Sequence, residues 1–365
     1  MHSAHAPASS LPSHNAIAPV RPAWLPRYLP ELQGLRGLAV LAVILYHCHP
    51  LLVGTAIYGP SLWGWSGVNL FFVLSGFLIT SILLESRGRS HYFRNFYARR
   101  ILRIWPVYLL LLLVCYSVPA WFLGDTLAHQ LHWKTLTAYA LFLQNLRHTP
   151  LPGTLGPTWS LAIEEQYYLL WAPMVWLLGA RRRLLAVVLC ALVILSPLLR
   201  LGHFHWLTPT HTLIHLDGIA LGSLLAIAML TLPLRRQTWL ALGALAAVGG
   251  WLAAATVAGG TAFLDTALAF LFAGLVLVAI ASTGAWVLAP LRRGPLAFYG
   301  TISYGLYMTH ILVFVYFGNF SAAFAHMGTT GNEWIVLLRF LASTLVATLL
   351  WYGFESQILK LKTRF

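Results

Sequence analysis

Ten apolar runs, each long enough to cross a bilayer, decide what this chain can fold into. They fall near 35–53, 66–84, 101–122, 159–179, 184–201, 212–231, 238–257, 262–281, 297–317 and 334–355. A spanning helix needs about 17–25 residues, and inside lipid every backbone N–H and C=O must find an internal partner. Only 9% of the 365 residues are charged, against about 25% in soluble domains. A soluble globular fold is therefore excluded. Fifteen Trp and fifteen Tyr suit aromatic belts at the two membrane interfaces. The expectation is an all-α integral membrane protein of about ten transmembrane helices. Segment 135–147 is apolar but short, and reads as an interfacial or re-entrant piece.

The cations orient these helices. A formal charge of +14 raises nucleic acid as a partner, but the cations fall between apolar runs, so no nucleic acid is expected. With a cytoplasmic N-terminus, 19 of the 23 Lys and Arg lie on the inner side. Only Lys134, Arg147, Arg200 and Arg339 remain outside. One early span more or fewer would spoil that alternation, so both termini read as cytoplasmic. Residues 1–27 lack the basic n-region and apolar core of a signal peptide and read as a disordered tail. Residues 28–357 form one membrane domain, and 358–365 a short basic cytoplasmic tail. Cys48, Cys115 and Cys190 lie in apolar runs and read as small buried hydrophobes.

Arg36 and His47 are the candidates with the clearest geometry. Eleven residues apart, they return to within about 20° on one helical stripe, with His47 roughly 16 Å deeper. That places Arg36 near one membrane face and His47 near mid-bilayer, where an ionisable group is expensive and marks function. The loop SRGRSHYFRNFYARRILRIWP carries more arginine than orientation needs. Arg100 and Arg103 lie three apart on one face and suit phosphate oxygens, with Arg99 beside them. Anionic lipid is the competing ligand for such a cluster.

The run TWSLAIEEQYY places Glu164 and Glu165 on an otherwise apolar helix. Glu164 also fits a capping box, and adjacent side chains diverge by about 100°, so at most one faces a central cavity. Glu164 or Glu165, His211, Asp217 and His310 read as a polar lining of the outer half, with Tyr167 following on the same helix as the acids. Ser75 and Gly76 offer a small face for close helix packing. His211 and His215 have metal-ligand spacing but no third ligand, so no metal is expected. A basic inner mouth and a polar outer half fit two function classes. One is a proton-coupled secondary transporter of a small anionic or sugar-like solute. The other is a group-transfer enzyme with a phosphate-bearing donor inside, an acceptor outside and His47 as base between them. No repeated halves are visible, and arginine is concentrated at one inner loop, which favours the enzyme.

Six motifs in order carry a resemblance: LQGLRGLAVLAVILYH, GVNLFFVLSGFLIT, FYARRILRIWPVY, TWSLAIEEQYY, LDGIALGSLLA and ISYGLYMTH. Together they resemble the acyltransferase-3 family of membrane acyltransferases over about 28–357. The resemblance implies acyl-CoA, commonly acetyl-CoA, as cytoplasmic donor. It implies a hydroxyl of a cell-surface or exported saccharide as acceptor, in a bacterial inner membrane. It makes His47 catalytic with Arg36 as partner, assigns Arg99, Arg100 and Arg103 to the donor, and gives Glu164 or Glu165 a functional role. Asn69, Ser75, Tyr167, His211, Asp217 and His310 are the expected substrate-binding residues. Asn69 stands where many members have Asp, and His215 where an Arg often precedes the LDG-like motif. Some relatives carry an appended extracytoplasmic hydrolase-like domain. Without one, the chain is expected to act alone or with a separate periplasmic acyl-transfer partner. The chemistry allows direct transfer with His47 as base or a transient acyl-His47.

Overall fold

A computed structural model describes residues 21–117, 133–146, 153–202, 204–257, 262–322 and 332–365. Ten helices carry the described fold: α1 (Pro30–Cys48), α2 (Gly67–Ser86), α3 (Tyr92–Ser117), α4 (Thr158–Leu178) and α5 (Arg182–Leu201) form the first half. The second half is α6 (Leu216–Met229), α7 (Arg236–Val257), α8 (Leu264–Ala281), α9 (Pro295–Ala322) and α10 (Asn332–Leu350). Eight of these are long and apolar enough to cross a membrane, as expected of a multi-pass protein.

The other two differ for separate reasons. α4 has the length, but Glu164, Glu165 and Gln166 dilute its apolar character, and its first turns are buried inside the bundle. α6 has only 14 residues, about 21 Å at 1.5 Å per residue. Its expected first turn is replaced by a 3₁₀ turn, Thr212–Ile214, capped by the His211 side chain.

α1 also departs from expectation. Pro30 starts the helix five residues earlier than the apolar run, and Pro50 in the following 3₁₀ turn ends it. His47 therefore sits in the last turn of α1 rather than at mid-span. Of the expected N-terminal tail, residues 1–20 lie outside the described residues. Residues 21–27 pack on the bundle, with Leu25 buried and Arg21 paired to Glu85 at 3.0 Å.

The connections among the described residues gather in two groups, at opposite ends of the helices. On one face Arg292, Thr283 and the Gly284 amide all bond Glu31. On the same face Arg236 bonds the Ala281 carbonyl and Arg182 the Leu230 carbonyl. The C-terminus lies there too, with Arg94 stacked 5.4 Å from the Phe365 ring centroid. On the other face Asn145 donates to the Thr210 carbonyl and to Thr212 Oγ1. The expected interfacial piece is a helix over Trp133–Ala140 followed by turns that bury Gln144 and Asn145.

α5 shows how a lipid-facing helix is read. Its buried stripe is Leu185, Leu189, Val193 and Ser196 at helical spacing, so Cys190, about 100° off that stripe, is exposed. Cys48 and Cys115 are buried as expected.

α2 and α6 cross at backbone contact. A Cβ on Gly76 would fall on the Ile219 carbonyl oxygen, and one on Gly222 on that of Val73. Ser223 Oγ donates to the Gly76 carbonyl at 3.2 Å across the same seam. Gly222→Val should therefore force the helices apart and lower the melting temperature in detergent, an overpacking cost of about 1–3 kcal/mol. An unchanged melting temperature would mean that this seam is not closely packed.

Candidate active site

Two cavities meet inside the bundle. The first, of about 430 Å³, opens among α1, α2, α3, α4 and α9. Arg36 enters from α1, Arg100 and Arg103 from α3, and Lys362 from the C-terminal turn Lys360–Arg364. Arg103 pairs with Glu355 at 3.3 Å and lies between the Tyr304 and Trp351 rings. Arg100 stacks 5.6 Å from the centroid of the Tyr168 ring. Among the described residues, Arg36, Arg100 and Lys362 have no carboxylate partner. Four cations thus share a half-buried space with few acids, and gathering like charges out of water is costly, a cost that an anionic ligand would offset.

One carboxylate, Glu164, faces the same space, so it joins the basic cluster rather than the expected outer lining. Glu164 accepts from Ser75 Oγ at 2.5 Å and from Tyr168 Oη at 3.2 Å, and Tyr168 also bonds Ser75 at 3.1 Å. The expected divergence of adjacent acids holds in the geometry. Glu165 turns away and accepts from Trp105 Nε1 at 3.2 Å. Arg99 is exposed and stands outside the cavity.

The second cavity, of about 700 Å³, holds His47 with Asn69, Trp65, Trp159, His215 and Asp265. Val68 and Tyr307 line both cavities and form the septum between them. Tyr307 Oη is held by Ser160 Oγ at 2.7 Å and donates to the Pro157 carbonyl at 3.1 Å. Asn69 Nδ2 donates to Asp265 Oδ1 at 3.2 Å. Arg200 bonds Asp265 at 3.3 Å and Asp217 at 2.7 Å. An acid from α8 and an arginine from α5 thus stand beside Asn69 and His215. The indole of Trp159 packs 4.9 Å from the His215 ring centroid, and the mixture of aromatic faces with amide and carboxylate groups suits a polar ring-shaped ligand.

The sequence-predicted residues divide accordingly. The structure gathers Arg36, Ser75, Arg100, Arg103 and Glu164 in the first cavity, and His47 and Asn69 in the second. Tyr167, His211, Asp217 and His310 line neither. Tyr167 bonds Ser223 within the core at 2.7 Å, and Asp217 is locked to Arg200 and Thr266. His211 caps its 3₁₀ turn, and His310 is fully buried against His47. Reading along the chain misses Lys362, which looks like a topological tail residue, and Asp265, an acid at the end of an apolar run. Neither carries a local spacing signal.

Residues 29–355 match the family model described as acyltransferase domain. The Bacillus subtilis protein named "Putative peptidoglycan O-acetyltransferase YrhL" is 36% identical over 48% of this chain and 29% of its own length. Peptidoglycan O-acetyltransferase OatA of Listeria monocytogenes is 34% identical over 40% of this chain and 24% of its own length. The chain thus spans less than a third of each of these relatives. No solved structure matches it.

Proposed function

This chain belongs to the acyltransferase domain family, and from that premise we propose that it transfers an acetyl group from acetyl-CoA to a hydroxyl of a cell-surface saccharide. The convergence of Arg36, Arg100, Arg103 and Lys362 on one cavity carries this reading. Arg36, Arg100 and Lys362 form no ion pair among the described residues, and the phosphates of CoA would supply one. Peptidoglycan, named in both relatives, is the first saccharide to test. The positive-inside pattern puts the basic cavity on the cytoplasmic side and the His47 cavity on the outer side of a bacterial inner membrane. A separate periplasmic partner that receives the acyl group remains compatible with this arrangement.

The residues divide the work. Guanidinium forks and the Lys362 ammonium grip phosphate oxygens, while the acyl end of the donor passes Val68 and Tyr307 toward His47. The acceptor enters the outer cavity against Trp159, Asn69 and Asp265. His47 takes the proton of the attacking hydroxyl, whose oxygen bonds the acetyl carbon. The C–S bond breaks, and the proton returns to the departing CoA thiolate. Atoms and charge balance with no further reactant.

Arg36→Gln, Arg100→Gln and Lys362→Gln should each weaken CoA binding by about 1.5–3 kcal/mol, the range for hydrogen bonds to charged groups. The loss should shrink as salt screens the interaction. Arg99→Gln, outside the cavity, should leave affinity near wild type. Isothermal calorimetry with CoA makes the comparison. Unchanged affinity in all three cavity variants would remove the donor from this site.

A further inference from the structure

We propose that His310 is the positioning residue of the transfer: it holds the His47 imidazole with Nδ1 protonated and Nε2 presented to the outer cavity. The kinetic half of this inference rests on the acyltransferase reading, whereas its structural half does not.

His310 is fully buried on α9, and its Nδ1 lies 2.8 Å from the Tyr307 carbonyl and 3.2 Å from that of Leu306. Carbonyl oxygens only accept, so His310 Nδ1 carries the hydrogen. In a neutral imidazole its Nε2 is then a bare lone pair. That lone pair lies 3.3 Å from His47 Nδ1. His47 Nδ1 also lies 2.8 Å from the Val43 carbonyl, a second acceptor. Two acceptors converge on one nitrogen, so His47 Nδ1 must donate. Its Nε2 is left unprotonated, and no described residue bonds it. This is the tautomer a general base needs, and the partner of one ring nitrogen decides the state of the other.

A buried histidine needed only for packing would be satisfied by its own helix carbonyls and need not aim Nε2 at another imidazole. The two rings meet edge to face, with centroids 4.9 Å apart at 62°. When His47 accepts the hydroxyl proton it becomes a cation. The Nδ1–H bond to His310 is then charge-assisted and shortens, which favours the state that forms during transfer. His310 touches neither the donor cavity nor the acceptor cavity, so its effect passes through His47.

The test has two arms. In wild-type protein with ¹⁵N-labelled histidine and no substrate, NMR should show His47 protonated at Nδ1 and coupled through the hydrogen bond to an unprotonated His310 Nε2. A His47 protonated at Nε2, or absence of that coupling, would overturn the proposal whatever the protein's reaction. In the kinetic arm, His310→Leu should lower kcat at least about tenfold, short of the roughly 10²–10⁴-fold that loss of the base costs. Its KM for acetyl-CoA should not change. His310→Gln, whose amide oxygen can accept from Nδ1, should recover most of the loss. Wild-type kcat in the leucine variant, or an equal loss in both folded variants, would reduce His310 to a packing residue. Should the leucine variant fail to fold, the coupling and the glutamine variant still decide. A wild-type protein that transfers no acyl group would sink the function and leave the NMR arm standing.

Discussion

His47→Ala is expected to abolish acyl transfer, with kcat lower by about 10²–10⁴-fold, while the protein still folds and binds CoA at wild-type affinity. The expectation rests on where His47 stands. It occupies the last turn of α1, half-buried at the edge of the second cavity, and lines no part of the basic one. Removing its ring therefore costs little core packing and no phosphate contact. A sugar hydroxyl is a poor nucleophile near neutral pH, so loss of the group that takes its proton falls on the chemical step. The position also helps the cation that forms, because a helix C-terminus stabilises positive charge by about 0.3–1 kcal/mol.

A base must be unprotonated to act, so wild-type kcat should fall as the pH drops into the acid range, and that acid limb should be absent in any residual activity of His47→Ala. Purified enzyme, acetyl-CoA and a soluble oligosaccharide of peptidoglycan would be assayed by mass spectrometry for acetylated product. Near-wild-type transfer by His47→Ala would remove His47 from the reaction.

How much of this was legible along the chain depends on which residues act through local spacing. Arg100 and Arg103 share a cavity because three residues on a helix nearly close one turn. The same geometry separates Glu164, which faces the cavity, from Glu165, which packs on Trp105. The membrane-spanning helices were legible because lipid permits so few backbone solutions. The place of His47 along its helix was not, since Pro30 and Pro50 reset the ends of α1 relative to its apolar run. Lys362 and Asp265 reach their cavities by tertiary folding over hundreds of residues, and nothing within a helical turn of either announces it. His310 was legible as a polar group in an apolar helix, but its contact with His47 spans 263 positions. Asp217 and Tyr167 show the converse: both are polar and buried, and both spend their bonds holding helices together.

Sided transfer is the other large effect, because the account places donor and acceptor on opposite faces of one septum. Arg36, Arg100, Arg103 and Lys362 gather on the face that holds the C-terminal turn, whereas Trp159, Asn69 and Asp265 gather beyond Val68 and Tyr307. Acetyl groups should therefore cross while CoA stays behind. Proteoliposomes of known orientation would receive acetyl-CoA, labelled in the acetyl group, only on the arginine-rich side, with saccharide acceptor only on the other. Labelled acceptor is expected on the far side, with an equal amount of free CoA on the near side. Neither product should form when the two solutions are exchanged. Movement of an intact solute across the membrane without release of CoA would contradict sided transfer and make the protein a transporter.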